Sequence, residues 1–173
     1  MLRLLLAFFI TFCSLFSWSP SMAGESKAPE TNLAGPPKTA VQQQVYSMVY
    51  SITIDKSDHK LYLYYNGNLR NWFLVGTGRK PSYTPTGTFK IVNKAKYPAY
   101  RGIPGGSPKN PLGARWLGLN KVSTNGKHYG IHGTNNPASI GKNSSAGCIR
   151  MYNQDVIFLY NLVAVGTVVT IRD

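Results

Sequence analysis

Two cysteines occur in the sequence, and one of them lies where it could do chemistry. Cys13 belongs to an apolar N-terminal segment, whereas Cys148 lies in the stretch from Ser144 to Met151, sixteen residues after His132. If the N-terminal segment is removed on secretion, Cys148 is a buried bystander, half of an intermolecular bridge or a reactive group. Thiolates are nucleophiles, and a neighbouring imidazole commonly generates one at neutral pH. The residue types and their spacing favour a reactive Cys148 with His132 as its base.

The sequence offers three histidines as partners for this thiol. His59 lies between two charged residues and is predicted to be solvated, while His128 and His132 both shortly precede Cys148. His132 ends an apolar segment and is followed by Gly133, so its side chain can project into a cleft. On these local grounds, a purely structural His132 stays open as an alternative.

Gly147 and Arg150 flank the cysteine and extend the candidate site. A glycine permits unusual backbone dihedrals and close approach of a substrate, so the Gly147 N–H is a candidate oxyanion donor. Arg150 lies two residues past Cys148, on the same face if the segment is extended. Its guanidinium could bind a substrate carboxylate or favour the thiolate. The alternatives are a turn glycine beside a buried cysteine and an arginine that ties the loop to main-chain carbonyls.

The charge balance restricts the partners. Nineteen Lys and Arg residues oppose six Asp and Glu, a formal net charge of +13. Outside a cell such a field attracts anionic surfaces and polymers. The sequence lacks a basic helix, zinc-ligand spacing or an aromatic RNA-binding motif, so nucleic acid is not an expected partner. Because the cations are spread along the chain, a role in solubility alone also stays open.

The N-terminal part has the composition of a targeting segment followed by a linker. Arg3, the apolar run that begins at Leu4, and Ser21-Met22-Ala23 predict a signal peptide over residues 1–23. The apolar run is shorter than the ~20 residues of a spanning helix, and an uncleaved anchor is the alternative. Residues 24–46 are rich in Pro, Ser, Thr and Gln and predict a flexible tether. We therefore expect secretion across the cytoplasmic membrane to the cell wall or periplasm, and one domain over residues 47–173.

Period-two hydrophobicity predicts strands through most of this domain. Segments from Ser47, at 60–65, 69–76, 88–93, 116–119, 129–132 and 167–172 fit strands, and Asn66-Gly67 predicts a type I′ hairpin turn. Asn153 is predicted to cap one short helix. Breakers over residues 94–111 predict a long surface loop, of a kind that often serves function. The pattern predicts a mainly β domain, a sandwich or barrel-like fold with one short C-terminal helix.

Three segments together resemble the YkuD-type L,D-transpeptidase catalytic domain. They are the stretch from Ile131 to Met151, containing the histidine and Ser-Ala-Gly-Cys-Ile-Arg, the Thr-Pro-Thr-Gly-Thr-Phe segment at 84–89, and Gly-Ala-Arg-Trp-Leu at 113–117. Their order and the His-to-Cys spacing are specific, and they extend over roughly residues 47–173. The resemblance implies that fold for the whole predicted domain. Many members have histidine where this chain has Ala146, so no side-chain oxyanion donor is expected there.

The resemblance also implies a reaction and roles for individual residues. Cys148 would attack a tetrapeptide stem of peptidoglycan at the L-centre of its diamino acid, release D-Ala and pass the acyl group to an amine, giving a 3→3 cross-link. His132 would be the base, oriented by the Gly133 carbonyl, with Gly147 at the oxyanion and Arg150 and Ser145 binding substrate. The implied partners are stem peptides, anionic wall polymers, and carbapenem-type β-lactams as covalent inhibitors; no cofactor or metal is expected.

Other classes of protein fit the residues less well. A sortase-like enzyme would place its histidine much further upstream, and papain-type peptidases place the cysteine first. A zinc site of His128, His132 and Cys148 would lack a nearby glutamate. A non-catalytic wall-binding module of the same fold would predict an unreactive Cys148. An L,D-carboxypeptidase, in which water takes the acyl group, is the nearest enzymatic alternative.

Overall fold

A computed structural model of the protein describes residues 49–121 and 125–173. The predicted signal peptide, the predicted tether and the first two residues of the predicted domain lie outside these ranges. Within them, no helix has the length and apolar character needed to cross a membrane.

The described residues form ten strands and one α-helix. The strands are β1 Tyr50–Asp55, β2 Lys60–Tyr65, β3 Asn68–Leu74, β4 Thr77–Gly78, β5 Gly87–Lys96, β6 Arg115–Leu119, β7 Gly130–His132, β8 Asn143–Ser145, β9 Ile149–Arg150 and β10 Val168–Arg172. The helix α1 spans Asn153–Leu162, and a 3-10 turn spans Pro137–Ser139. Eight strands form one sheet in the order β3-β2-β1-β10-β5-β6-β7-β9, while β4 pairs with β8. The predicted mainly β domain with one short helix is confirmed.

The first hairpin follows directly from the sequence pattern. Alternate residues of β1 and β2, including Ile52 and Leu63, are buried, as expected for strands with one face on a core. Asn66 and Gly67 between β2 and β3 have φ of 49° and 77°. Two consecutive positive φ values are what a type I′ turn requires, so the predicted hairpin is confirmed.

The C-terminal strand completes the middle of the sheet. β10 lies parallel to β1 and antiparallel to β5, so the two halves of the chain are joined through it. Val169 and Ile171 of β10 are buried in the core. Helix α1 places Val156 and Leu159 in the same core and packs against β6 and β7. The strands that carry the candidate site therefore rest on a helix at one edge of the sheet.

Three details of the sequence prediction were wrong. Strand β5 continues to Lys96, so the loop predicted from 94 begins three residues later, because these residues pair with β6. Asn153 is the first helical residue rather than the cap; the cap is Tyr152, with no side-chain hydrogen bond. About seven strands were predicted, and the additional ones, β4, β8 and β9, contain only two or three residues. Such short strands leave too few residues for a periodic signal.

Candidate active site

His132 lies at the end of β7, between a tryptophan and an arginine on the neighbouring strands. It pairs with Trp116 of β6 on one side and with Arg150 of β9 on the other. The Trp116 ring stacks on the imidazole, with centroids 5.6 Å apart and planes inclined by 22°. The side chain is 4% exposed. The register of three short strands therefore fixes both the position and the tilt of the ring.

A main-chain carbonyl sets the tautomer of this histidine. His132 Nδ1 lies 2.6 Å from the Gly133 carbonyl oxygen. Because a carbonyl only accepts, Nδ1 carries the proton and Nε2 of the neutral ring carries the lone pair. Burial lowers the pKa of His132 to about 4, assisted by the charge of Arg150 and opposed by the main-chain hydrogen bonds. The imidazole is therefore neutral at physiological pH, with Nε2 available as a base.

Cys148 immediately precedes β9 and is partly buried. Its thiol lies 3.7 Å from the His128 carbonyl oxygen. Burial raises the pKa of the Cys148 thiol, while the Gly130 main-chain N–H, Arg150 and Lys121 act in the opposite direction without cancelling it. At neutral pH the sulfur is a thiol and the His132 imidazole is neutral, so the two groups are not a preformed thiolate–imidazolium pair.

A tight turn presents the cysteine. Gly147 has φ of +135°, and a Cβ there would lie 2.7 Å from the Tyr83 carbonyl oxygen, so only glycine fits. Its N–H donates to Ser145 Oγ at 2.9 Å, and that hydroxyl donates to the Cys148 carbonyl at 2.7 Å. Ser145 is buried, and both hydrogen bonds of its hydroxyl lie within the turn. The predicted oxyanion role of Gly147 and substrate role of Ser145 stay predictions, and both groups already hold the turn together.

Thr84 anchors this turn from a distant part of the chain. The threonine is 1% exposed. Its hydroxyl accepts the Gly78 N–H at 2.9 Å and donates to the Gly147 carbonyl at 2.7 Å. The Arg79 N–H, in the same segment, donates to the Ser145 carbonyl at 3.0 Å. Thr84 and the main chain at Gly78 and Arg79 thus hold the turn that presents Cys148.

Asn153 plays a similar part for the histidine. Its Oδ1 accepts the Ala114 N–H at 2.9 Å, and its Nδ2 donates to the Thr134 carbonyl at 3.0 Å. A Cβ on Gly133 would lie 2.1 Å from that Oδ1. The start of α1 is thereby joined to the loop before β6 and to the main chain that orients His132. These two bonds explain why the side chain does not cap its own helix.

One cavity of about 780 Å³ brings the predicted residues together. His132, Cys148, Arg150, Ser145 and Ala146 all line it. As expected for an extended segment, Cys148 and Arg150 therefore face the same space. The rest of the lining comes from three other parts of the chain: Tyr83, Tyr100, Arg101, Pro111, Leu112, Trp116, Lys121, Lys127, His128 and Tyr129.

His59 lies outside this cavity lining. Its Nε2 is 3.1 Å from Asn143 Oδ1, and the residue is partly exposed with φ of 54°. In the described ranges, no group of three or more His, Cys, Asp or Glu side chains is placed to hold a metal ion. Of the three histidines, His132 is therefore the one whose environment prepares it as a base.

Thr84 and Asn153 are the site residues that sequence reasoning did not assign. Thr84 stands in a recognisable turn segment, but its burial and its bond to a residue 63 positions away depend on tertiary structure. The sequence predicted that the Asn153 side chain caps its own helix. The side chain is instead bonded to the Ala114 N–H and the Thr134 carbonyl. Because buried polar groups are nearly always hydrogen-bonded, a threonine hydroxyl that is buried in a turn needs a partner, and this rule is the signal that could have identified Thr84 as a site residue.

Comparison with known proteins agrees with this geometry. The family model for the YkuD L,D-transpeptidase catalytic domain matches residues 49–171. The chain therefore belongs to the L,D-transpeptidase catalytic domain family of YkuD type. The match extends over β1 to β10 and includes every site residue discussed above.

Individual relatives give the same result. The chain is 44% identical over 124 residues to "Putative L,D-transpeptidase YqjB" of Bacillus subtilis, with 70% of each chain covered. It is 42% identical over 127 residues to "Putative L,D-transpeptidase YkuD" of the same organism, covering 73% of this chain and 68% of the relative. L,D-transpeptidase 3 from Mycobacterium tuberculosis, solved with a faropenem-derived adduct, has a TM-score of 0.58 at 19% identity, covering 72% of this chain. The match spans 60% of that solved chain, and at this identity it establishes the fold.

Proposed function

We propose that the protein is a cysteine-dependent peptidoglycan L,D-transpeptidase with Cys148 as nucleophile and His132 as base. The observation that carries the proposal is the shared cavity, which contains the only thiol of the described residues and an imidazole whose Nε2 is left as the lone-pair nitrogen. Family membership supplies the reaction class. The pairing of β7 with β9 places His132 opposite Arg150, two residues after Cys148, although sixteen residues separate His132 from Cys148 in sequence.

In the acylation half-reaction Cys148 is the nucleophile, and His132 first accepts and then returns one proton. Cys148 Sγ attacks the carbonyl carbon at the L-centre of the diamino acid while its proton passes to His132 Nε2. The tetrahedral intermediate then collapses, the C–N bond to the terminal D-Ala breaks, and the imidazolium returns the proton to the leaving amine. A thioester and free D-Ala result.

The second half-reaction reverses these roles. An amine of an acceptor stem attacks the thioester carbonyl, His132 Nε2 removes its proton, and the C–S bond breaks with protonation of sulfur. The product is a 3→3 cross-link, and the resting thiol is restored. If water replaces the amine, the same steps give L,D-carboxypeptidase activity.

The resting charge state favours base catalysis over a preformed ion pair. The pKa of His132 is lowered to about 4 and that of Cys148 is raised, both mainly by burial. The proton therefore moves as the substrate is attacked, when the developing oxyanion and imidazolium stabilise each other. Because Ser145 Oγ already accepts the Gly147 N–H, we infer that the Cys148 N–H is the leading oxyanion donor, with Gly147 joining it if its bond to Ser145 opens.

The location of the enzyme is part of the same proposal. A substrate in the cell wall requires export, which residues 1–23 would direct, and the tether over residues 24–46 would let the domain reach the wall. The net charge of +13 would hold the protein near anionic wall polymers.

Mass spectrometry of the purified protein tests the proposal. We expect a covalent adduct on Cys148 after exposure to a carbapenem, and release of D-Ala from a disaccharide tetrapeptide. Cys148→Ala and His132→Ala should abolish both, while His59→Ala, a histidine outside the cavity lining, should retain them. An absent adduct together with no loss of D-Ala would refute the enzyme and favour the non-catalytic wall-binding module.

A further inference from the structure

The active-site cavity carries positive charge from several sides. Arg101, Lys121, Lys127 and Arg150 line it, and no aspartate or glutamate of the described residues does. Arg101 belongs to the loop between β5 and β6, both lysines to the β6–β7 connection, and Arg150 to β9. Three separate elements therefore direct cations at one space around Cys148.

The carboxylates of the described chain are occupied elsewhere. Asp55 pairs with Arg172 at 3.0 Å, Asp58 with Lys60 at 3.2 Å, and Asp173 with Lys56 at 2.7 Å. Asp155, the remaining acidic residue in these ranges, lies in α1 outside the lining. The cations that these acids neutralise are thus different from Arg101, Lys127 and Arg150.

Among the described residues, neither of the two cavity arginines, Arg101 and Arg150, forms a salt bridge. Arg150 Nε is buried and has no hydrogen-bond partner in the described structure. Arg101 lies over the ring of Tyr100, 5.3 Å from its centroid, which orients the group without a counter-ion. Arg101 is exposed and both arginines line the cavity, so an anion bound there would meet their charge.

We propose that this cavity selects stem peptides whose carboxylates are free over stems in which they are carboxamides. The inference rests on the proposed function and adds a substrate preference to it. In a stem, the groups concerned are the α-carboxylate of the γ-linked glutamyl residue and the second carboxylate of a diaminopimelate. A carboxamide has almost the same shape as a carboxylate, so size cannot distinguish them and charge must.

The same charge distribution bears on the acceptor. The attacking amine arrives largely as an ammonium, which the charges of Arg101, Lys127 and Arg150 in the cavity lining repel. A carboxylate on the same carbon makes the acceptor end zwitterionic and removes that repulsion. In competition for the acyl group, acceptor stems that contain diaminopimelate with an unamidated carboxylate should therefore react faster than the corresponding carboxamides. They should also react faster than stems that contain lysine, whose side-chain amine has no adjacent carboxylate.

A matched pair of donors tests the inference. Disaccharide tetrapeptides that differ only by carboxylate or carboxamide at these positions are supplied singly and together, and D-Ala release is measured. We expect kcat/KM for the carboxylate form to be about tenfold higher or more at low salt, because charge complementarity governs both steering and binding. The preference should shrink as salt rises, since exposed charges are screened over ~10 Å at 0.1 M.

Variants locate the preference in the cavity. Arg101→Gln and Lys127→Gln should each reduce the carboxylate preference severalfold, because kcat/KM falls for the carboxylate donor and changes little for the carboxamide donor. Lys90→Gln removes an exposed lysine of β5 outside the lining and should leave the preference unchanged. A preference that survives the double variant Arg101→Gln/Lys127→Gln would refute the assignment to these residues.

The outcomes separate this inference from the function on which it rests. Equal kcat/KM for both donors, or a preference for the carboxamide, overturns the selectivity while D-Ala release still supports the transpeptidase. Failure of both donors to release D-Ala, with no carbapenem adduct, overturns the proposed function and the selectivity together.

Discussion

Thr84 and Gly147 are joined by a buried hydrogen bond across 63 positions of sequence, with Thr84 Oγ1 donating to the Gly147 carbonyl at 2.7 Å. The same oxygen accepts the Gly78 N–H. One hydroxyl therefore satisfies a donor near β4 and an acceptor in the turn that presents Cys148. The position of Cys148, the proposed nucleophile, therefore depends on a segment that contributes no reacting group.

Removing this hydroxyl should impair catalysis more than its size suggests. Thr84→Val leaves the Gly147 carbonyl and the Gly78 N–H unsatisfied, so we expect the free energy of unfolding to fall by about 1–3 kcal/mol. The acylation rate by a carbapenem should fall by about tenfold or more, because small misplacements of a nucleophile are costly. Urea unfolding and stopped-flow acylation measure the two effects. Thr86→Val, an exposed change in the same turn, is the control, and equal rates for the two variants would contradict the assigned role.

The fall in the carbapenem acylation rate at low pH should follow the protonation of the buried His132 imidazole. The pKa of His132 is lowered to about 4, so the neutral base persists well below pH 6.5 and is lost only as pH falls through about 4. We expect the carbapenem acylation rate to change little between pH 7 and pH 5.5 and to decline near pH 4. The rate is measured by loss of β-lactam absorbance. A midpoint near 6.5, the value of an unperturbed histidine, would show that the ring is solvated in solution.

The same lowered pKa makes the fold sensitive to acid. Between pH 6.5 and about 4, unfolded His132 binds a proton and native His132 does not, so the free energy of unfolding rises with pH in this window. The total change from this group is about 3 kcal/mol. His132→Gln should flatten that part of the profile, measured by urea unfolding at pH 4.5 and pH 7. Identical pH dependence in both proteins would rule out the buried neutral histidine.

Gly133→Ala tests the steric need for glycine beside the base. The added methyl would lie 2.1 Å from Asn153 Oδ1 and 2.9 Å from the Ala114 nitrogen, so the Asn153 side chain or the Gly133 main chain, whose carbonyl orients His132, must shift. We expect the acylation rate to fall by about tenfold or more and its acid limb to shift. Asn153→Ala removes the obstructing oxygen, so the double variant should lose less activity than the two single losses combined predict. Strictly additive losses would contradict the proposed clash.

Cys148 should react slowly with simple alkylating agents at neutral pH. Burial raises the pKa of its thiol, so the thiolate fraction is below that of a free cysteine. Iodoacetamide should label the native protein more slowly than N-acetylcysteine at pH 7, while a carbapenem, which the site can activate, should react readily. Intact-mass analysis over time follows both reactions. Faster labelling than the free thiol would indicate a preformed thiolate.

The sequence could predict those features whose signals are local. The hairpin at Asn66-Gly67 and the alternation in β1 and β2 depend on neighbouring residues, and both match the structure. The extent of β5 was missed because Lys94 to Lys96 look like loop residues until β6 lies beside them. Lys94 itself donates to the Tyr160 and Val163 carbonyls at the end of α1, a partnership without a local signal.

Long-range polar partners lie beyond local patterns for a physical reason. A buried hydroxyl or amide requires a partner, but the chain topology decides which one it meets. Asn153 had a helix terminus available and instead bonds to main-chain groups on either side of the histidine strand. The tautomer of His132 likewise depends on the angle of the Gly133 carbonyl, which no residue type specifies.

The stacking of Trp116 on His132 gives the enzyme an optical reporter of its own base. Indole emission is quenched by a protonated imidazole and much less by a neutral one, so the fluorescence of Trp116 should follow the proton during turnover. Trp72 is 51% exposed whereas Trp116 is 7% exposed, so their emission differs in colour and Trp72→Phe would simplify the signal. Proton transfer to His132, the proposed base, would thus be visible without a label while the reaction is followed in the same sample.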